Sequence, residues 1–227
     1  MGYDYGSFSK AGPRLLKPAV QELQFKQLSG VAFARDRSQW VDGILLQQSA
    51  YGGGDFCVNV GIHVPALDDL RMTAPADRNF GLLIWGRLGP DGVDDGSWFP
   101  ASDKVELEAS MREVQSCLPA AEAWYRKFLS IGDIAAEYLK RHDLRHIEEN
   151  EHLSTLAITN YGLLLQLAGH LSESRRWLEI ARAQYEFVVR ENLRRFDKRK
   201  PGKEALSYHQ LDLERLREVE AVLDRTA

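Results

Sequence analysis

The amino-acid sequence predicts an α+β fold: an N-terminal helix on a mainly antiparallel sheet of about four strands, followed by an all-helical region. Short segments rich in β-forming residues are confined to residues 31–88. From residue 102 onward, apolar residues recur at helical spacing. A sheet-forming part followed by a helical part is typical of α+β rather than parallel α/β folds. We therefore expect a helix-and-sheet domain over residues 1–101 and a helical region over residues 102–227 that packs on or beside it.

The first helix is indicated by Pro13, which suits an early helical position, and by apolar residues on one helical side. Those apolar residues are Leu15, Leu16, Ala19, Val20 and Leu23. The four predicted strands are "VAFARDR", "WVDGILLQQS", "DFCVNVGIHV" and "NFGLLIWGRL". Because no helical pattern separates them, we expect an antiparallel meander. The long connection "PALDDLRMTAPADR" has room for a turn of helix or a functional loop.

The helical region begins at "SDKVELEASMREVQSCL". Asp103 is predicted to cap this helix, and Glu106, three residues later, is predicted to complete a capping box with it. Pro119 is expected to end this helix and start another. The segment 151–187 weakly resembles a single tetratricopeptide-type hairpin, with Gly162 for close helix packing and Gly169 at the turn. Since no second copy follows, a packed helical hairpin is expected rather than a solenoid.

Composition limits the classes of function. The chain has 227 residues, 44% hydrophobic content and a formal net charge of -4. These values predict a folded globular protein whose surface as a whole is not built for nucleic acid or anionic membranes. We expect a cytoplasmic location and free thiols. The chain has two cysteines and no leader pattern, and none of its apolar runs is near the ~20 residues needed to span a bilayer. No cofactor is predicted.

The stretch "SAYGGGDFCVNVGIHVP" combines three glycines with a cysteine, an asparagine and a histidine. The glycines lead into a strand rather than a helix, which favours a hairpin turn over a phosphate-binding loop. Cys57 and His63 are residue types of a thiol hydrolase, but on one extended strand they lie roughly 20 Å apart. They therefore cannot act as a nucleophile and its base.

Two clusters of charged or metal-ligating residues remain as candidates. His142 and His146 share a helix face at a spacing that permits a metal, although a solvated helix end is the favoured interpretation and no metal site is assigned. A basic segment over residues 190–203 has a local excess of five positive charges and could bind nucleic acid or an acidic partner. Its cations are Arg190, Arg194, Arg195, Lys198, Arg199, Lys200 and Lys203.

Several short motifs follow one another along the predicted sheet: an aromatic residue near an arginine, a glutamine at a strand end, a "VNVG" strand, and an arginine-leucine pair followed by tryptophan. Their positions are Phe33, Arg35, Leu46, Gln47 or Gln48, Val58 to Gly61, Arg87, Leu88 and Trp98. With these motifs, residues from about 13 to 100 resemble the bacterial family known as domain of unknown function 4304. The resemblance implies a component of bacterial conflict systems, such as an immunity protein, that acts by binding rather than catalysis. The candidate binding residues are Arg35, Gln47, Asn59, Arg87 and Trp98: they form a site if several of them converge on the polar face of the sheet, and they are scaffold if they scatter.

Three functional hypotheses follow. The first is a non-enzymatic bacterial binding protein, an immunity or conflict-system component that docks a protein partner such as a cognate toxin. The alternative is a nucleic-acid-associated module that uses the basic segment. The third and weakest is a thiol- or metal-dependent enzyme that acts through Cys57 or the His142/His146 pair. No membrane partner is expected.

Overall fold

The computed structural model describes residues 5–50, 54–71, 81–94, 96–144, 154–198 and 200–225. The chain is α+β, as predicted, and divides into two compact units. The first unit contains Met1–Pro65 and Pro75–Leu129, and the second contains Ala66–Ala74 and Ser130–Ala227. The predicted boundary at residue 101 differs from this division, because the helix that follows it belongs to the same unit as the sheet.

The elements of the first unit are α1 (Tyr5–Glu22), β1 (Lys26–Gln27), β2 (Ala32–Asp36), β3 (Val41–Gln48), β4 (Phe56–His63), β5 (Ile84–Gly89), β6 (Gly92–Val93) and α3 (Lys104–Tyr125). The strands form one sheet in the order β1-β2-β3-β4-β5-β6, and every neighbouring pair is antiparallel. The predicted meander and its four main strands are confirmed. The predicted number of strands is wrong, since β1 and β6 add two; a two-residue strand is too short to show an alternating pattern.

The sheet has two faces with different surroundings. Phe56, Val58, Val60 and Ile62 of β4 lie on the first face, which packs against α1 and α3. The rings of Phe8 on α1 and Phe56 are 5.1 Å apart. All four β4 residues are fully buried, so this face of the sheet forms the core of the first unit. The alternate residues of β3, β4 and β5 lie on the second face.

Prolines are tolerated inside both long helices of this unit. Helix α1 continues through Pro13 and Pro18, and α3 continues through Pro119. The predictions that Pro13 lies near a helix start and that Pro119 begins a new helix are therefore wrong. An interior proline costs about 3 kcal/mol in an isolated helix, but burial of an apolar face supplies most helical stability in proteins. Asp103 caps α3 as predicted, since the Glu106 amide donates to Asp103 Oδ1 at 2.9 Å. The Glu106 carboxylate, however, accepts from the Ser102 amide at 2.9 Å rather than from the Asp103 amide.

The second unit contains α4 (Ile131–Arg141), α5 (Thr155–Leu167), α6 (Leu171–Lys198) and α7 (Lys203–Arg225). Helix α2 (Pro65–Arg71) confirms the turn of helix expected after β4, and all but its first residue belongs to this unit. Residues Ala157 to Leu165 of α5 are buried on all sides. Among the described residues, no helix has the length and apolar character required to cross a membrane.

The predicted α5–α6 hairpin is confirmed. Gly169, at φ 85°, lies between the two helices. A Cβ atom added to Gly162 would lie 2.9 Å from Leu178 Cγ, so glycine allows the close approach of α5 and α6. Ser174, Leu178 and Ala181 of α6 are buried. Small and large residues therefore alternate along this contact.

Candidate functional site

A cluster of polar and aromatic residues lies on the second face of the sheet. Its members, which we call the sheet-face cluster, are Gln47 of β3, Cys57 and Asn59 of β4, Arg87 of β5, and Trp98 in the segment after β6. The strand register places Asn59 opposite Arg87 and Gln47 opposite Cys57. Side chains from three adjacent strands thus meet, including four of the five residues that the sequence proposed as a binding site.

Asn59 is the centre of the cluster. Its Nδ2 donates to Gln47 Oε1 at 2.8 Å, and its Oδ1 lies 3.8 Å from Cys57 Sγ, within range of a weak S–H hydrogen bond. Asn59 is buried and Gln47 is exposed at the strand end. A buried side-chain amide whose oxygen and nitrogen both form hydrogen bonds is held in one orientation. Asn59 is therefore a rigid base for the rest of the cluster.

Arg87 and Trp98 form the outer part of the cluster. The guanidinium carbon of Arg87 lies 4.6 Å from the centroid of the Trp98 ring, a cation–π contact. Arg87 Nε is buried and has no hydrogen-bond acceptor within range among the described residues. The guanidinium is held on the sheet face by its stacking on Trp98 and by its interaction with the Cys57 thiol beneath it.

Trp85 extends this surface and was not among the predicted site residues. It precedes Arg87 by two positions on β5, so both side chains point to the second face. Trp85 is 51% exposed and Trp98 is 41% exposed, which is unusual for so large an apolar side chain. The sequence did contain one indication of this: in "WGR" the tryptophan lies two positions before Arg87, a spacing that places both side chains on the same face of a strand. The exposed edge of the cluster is thus an arginine between two tryptophans.

Arg35, the fifth predicted site residue, lies on the first face and is not part of the cluster. It donates to Asp42 Oδ2 from Nε at 3.0 Å and from Nη2 at 2.7 Å, and to the Leu23 carbonyl at 2.9 Å. Nη1 also lies 2.7 Å from a Glu122 carboxylate oxygen. Its guanidinium carbon lies 4.4 Å from the centroid of the Phe25 ring. Arg35 therefore links α1, the sheet and α3 beneath the surface.

The chemistry of Cys57 does not suit a nucleophile. The residue is fully buried. Burial raises the pKa of its thiol, and the nearby Arg87 guanidinium opposes this rise only in part. His63 stands at the other end of β4, with Nδ1 3.2 Å from the Gly81 carbonyl oxygen. The structure agrees with the expectation that Cys57 and His63 do not form a catalytic pair.

Both cysteines are expected to be unreactive in the folded protein. Cys57 and Cys117 form no disulfide and are both buried, and an inaccessible thiol reacts slowly. Titration with Ellman's reagent at neutral pH should detect less than about a tenth of one thiol before unfolding, and two thiols in guanidinium chloride. Rapid native reaction of one thiol that is abolished by Cys57→Ser would contradict this prediction.

The other predicted sites have mixed outcomes. Gly54 adopts φ 78° in the connection between the antiparallel strands β3 and β4, whereas Gly52 and Gly53 lie outside the described residues.

His142 caps the C-terminus of α4, and its ring lies 4.2 Å from that of Tyr138. Burial and the adjacent Arg141 lower the His142 pKa. His146 lies outside the described residues, and within those residues no group of three or more metal-ligating side chains is found.

The basic segment spans the end of α6, a short connection and the start of α7. Arg190, Arg194, Arg195, Lys198, Lys200 and Lys203 are exposed, and Arg199 lies outside the described residues. Arg190 and Arg194 already form ion pairs, with Glu186 and Glu191. The segment is therefore an exposed but partly neutralised basic surface.

Comparison with known proteins finds no matching protein-family model, no matching curated protein and no matching solved structure.

Proposed function

We propose that this chain is a non-enzymatic binding protein of the immunity or conflict-system type, which acts in the bacterial cytoplasm by docking a protein partner on the second face of its sheet. The observation that carries the proposal is the row of Trp85, Arg87 and Trp98 on that face. The resemblance of residues 13–100 to domain of unknown function 4304 points in the same direction.

The residue types suit a protein partner. Tryptophan and arginine are enriched among the few interface residues that dominate binding energy. Exposed tryptophans separated by an arginine combine apolar area with directed hydrogen-bond donors. Arg87 is the natural partner for a carboxylate or a backbone carbonyl of the docked protein.

The buried base of the cluster supports binding through preorganisation. Gln47 and Asn59 are fixed by their mutual hydrogen bond, and Trp98 already stacks on Arg87. A surface whose side chains are ordered before association loses less conformational entropy when the partner docks. The buried Cys57 serves as packing beneath Arg87 rather than as a reactive group.

The proposal is tested by co-expression with the cognate toxin, taken as the product of the gene beside this one. We expect a stable complex and protection from growth arrest. Trp85→Ala and Trp98→Ala should each weaken binding by about 2 kcal/mol, or about 30-fold in Kd by calorimetry, because each removes a large buried contact.

Val105→Ala is the matched control. Val105 is an exposed apolar residue of α3, 75% accessible, and lies outside the sheet-face cluster. Its replacement should change Kd less than about twofold. A complex that the double variant Trp85→Ala/Trp98→Ala leaves intact would disprove docking on this face. Failure to form any complex, or to protect, would disprove the immunity role.

A further inference from the structure

A groove of about 410 Å³ lies between α1 and α3, the two helices that cover the first face of the sheet. It is lined by residues from the end of α1 and from the second half of α3. Cavities of this volume hold small organic molecules in many proteins. The groove is separate from the sheet-face cluster, which lies on the second face, and it belongs entirely to the first unit.

The two helices run in the same direction along the groove. Gln115 Nε2 of α3 donates to the Leu15 carbonyl of α1 at 3.0 Å. About two turns farther along both helices, Arg35 Nη1 donates to the Leu23 carbonyl and lies 2.7 Å from a Glu122 carboxylate oxygen. Helices α1 and α3 therefore end at the same end of the groove. Their last carbonyl groups carry partial negative charge, which favours a cation there.

The middle of the groove is apolar. The side chains that line it there are Ala19 and Leu23 from α1 and the residue after it, and Leu118, Pro119 and Ala123 from α3. Ala19 and Ala123 are small, so the space between the helices stays open. This part of the groove suits the apolar body of a ligand.

The end of the groove where both helices terminate carries charges of both signs. Glu22 and Arg126 line it and are exposed, and neither has an ion-pair partner among the described residues. Glu122 also lines it, with 15% of its side chain exposed. Glu122 Oε1 is close to Arg35 but accepts no hydrogen bond of good geometry in the described part of the chain. One carboxylate and one guanidinium thus remain unpaired beside an apolar channel.

We propose that this groove binds a small zwitterionic molecule with an apolar body, of the size and chemistry of a free dipeptide. Its ammonium group would pair with Glu22 and donate to Glu122, and its carboxylate would pair with Arg126. Its apolar side chains would cover Leu118 and Pro119. Charge-assisted hydrogen bonds at both ends of the ligand would fix its direction in the groove.

Ligands of other charge fit the groove less well. A simple anion would meet the Glu22 and Glu122 carboxylates and the negative ends of two helices. A simple cation would be opposed by Arg126 and would leave that guanidinium unpaired. An uncharged apolar molecule would take water from the charged groups without replacing its hydrogen bonds. A zwitterion with an apolar body complements every part of the lining.

The test is calorimetric titration of the full chain with the dipeptide leucyl-phenylalanine. We expect binding at one site with a Kd of about 100 μM, which is typical for a ligand of this size in an open groove. N-acetyl-leucyl-phenylalanine lacks the ammonium group, and leucyl-phenylalanine amide lacks the carboxylate. Each analogue should bind about tenfold more weakly, because each loses one charge-assisted contact.

Variants assign the two ends of the ligand. Glu22→Gln should weaken dipeptide binding about tenfold but change the affinity for the acetylated analogue less than about twofold. Arg126→Gln should have the same pair of effects with the amide analogue in place of the acetylated one. Both residues are exposed, and circular dichroism would confirm that the variants keep their helices.

Matched controls make the same changes on α3 outside the groove. Glu113→Gln and Arg112→Gln alter exposed residues that do not line it. Neither should change the Kd for the dipeptide more than about twofold. Equal losses in these controls would show that net charge, rather than the groove, governs binding.

Three further results would overturn the proposal. One is the absence of dipeptide binding at concentrations up to about 10 mM. The second is equal affinity for the free dipeptide and both analogues, which would show that its charges are not recognised. The third is unchanged binding in Ala123→Phe, whose ring would fill the groove. None of these results bears on docking at the sheet face, which uses other residues.

Discussion

Replacing Asp42 by asparagine is expected to lower the free energy of unfolding by about 3 kcal/mol, because the change removes a fully buried carboxylate and leaves the buried Arg35 guanidinium paired with Glu122 alone among the described carboxylates. Asp42 is fully buried on the first face of the sheet, and its Oδ2 accepts from both Arg35 and Arg37. Urea unfolding followed by circular dichroism would measure the loss as a lower midpoint at an unchanged slope.

Asp36→Asn provides the control for this experiment. Asp36 ends β2 next to the same network but is exposed, so that its replacement removes one negative charge without uncovering a buried cation. We expect a change within about 0.5 kcal/mol. Equal losses for Asp42→Asn and Asp36→Asn would show that net charge, and not the buried network, is responsible.

Replacing Gly61 by alanine is expected to cost about 2–3 kcal/mol through steric overlap within the sheet. A Cβ atom at Gly61 would lie 2.5 Å from the carbonyl oxygen of Ile84 and 2.9 Å from Trp85 Cβ. The carbonyl belongs to the neighbouring strand and cannot move without breaking the β4–β5 pairing. Thermal unfolding should show a clear decrease in Tm, and partner binding should weaken because Trp85 is displaced.

Gly30→Ala is the matched control. A Cβ atom at Gly30 would have no neighbour within 4 Å. The same chemical change should therefore alter stability by less than about 1 kcal/mol, in either direction. If Gly61→Ala were as stable as Gly30→Ala, the close approach of β4 and β5 at this position would not constrain the sequence.

The regular elements were predicted best where a pattern repeats over many residues. Four strands of five to eight residues were recognised by their composition and alternation. The two edge strands contain two residues each and have no pattern to recognise. The interior prolines of α1 and α3 misled the prediction, because packing against the sheet outweighs a local preference.

The site was predictable only in part. Gln47, Asn59, Arg87 and Trp98 were identified from the sequence and do meet on one face of the sheet. Arg35 was assigned to the same site, yet its register opposite Asp42 places it on the other face. Trp85 was overlooked because nothing in the sequence shows that this tryptophan is exposed.

The sequence by itself determined the α+β class, the four principal strands, the helical hairpin of the second unit, and which residues within each strand share a face. These properties follow from periodicity and local chemistry over short distances along the chain. The tertiary structure alone decided the strand register, the exposure of Trp85 and Trp98, and the lack of buried side chains among the residues described between 186 and 218. Such features depend on contacts between residues far apart in sequence, and no local pattern encodes them.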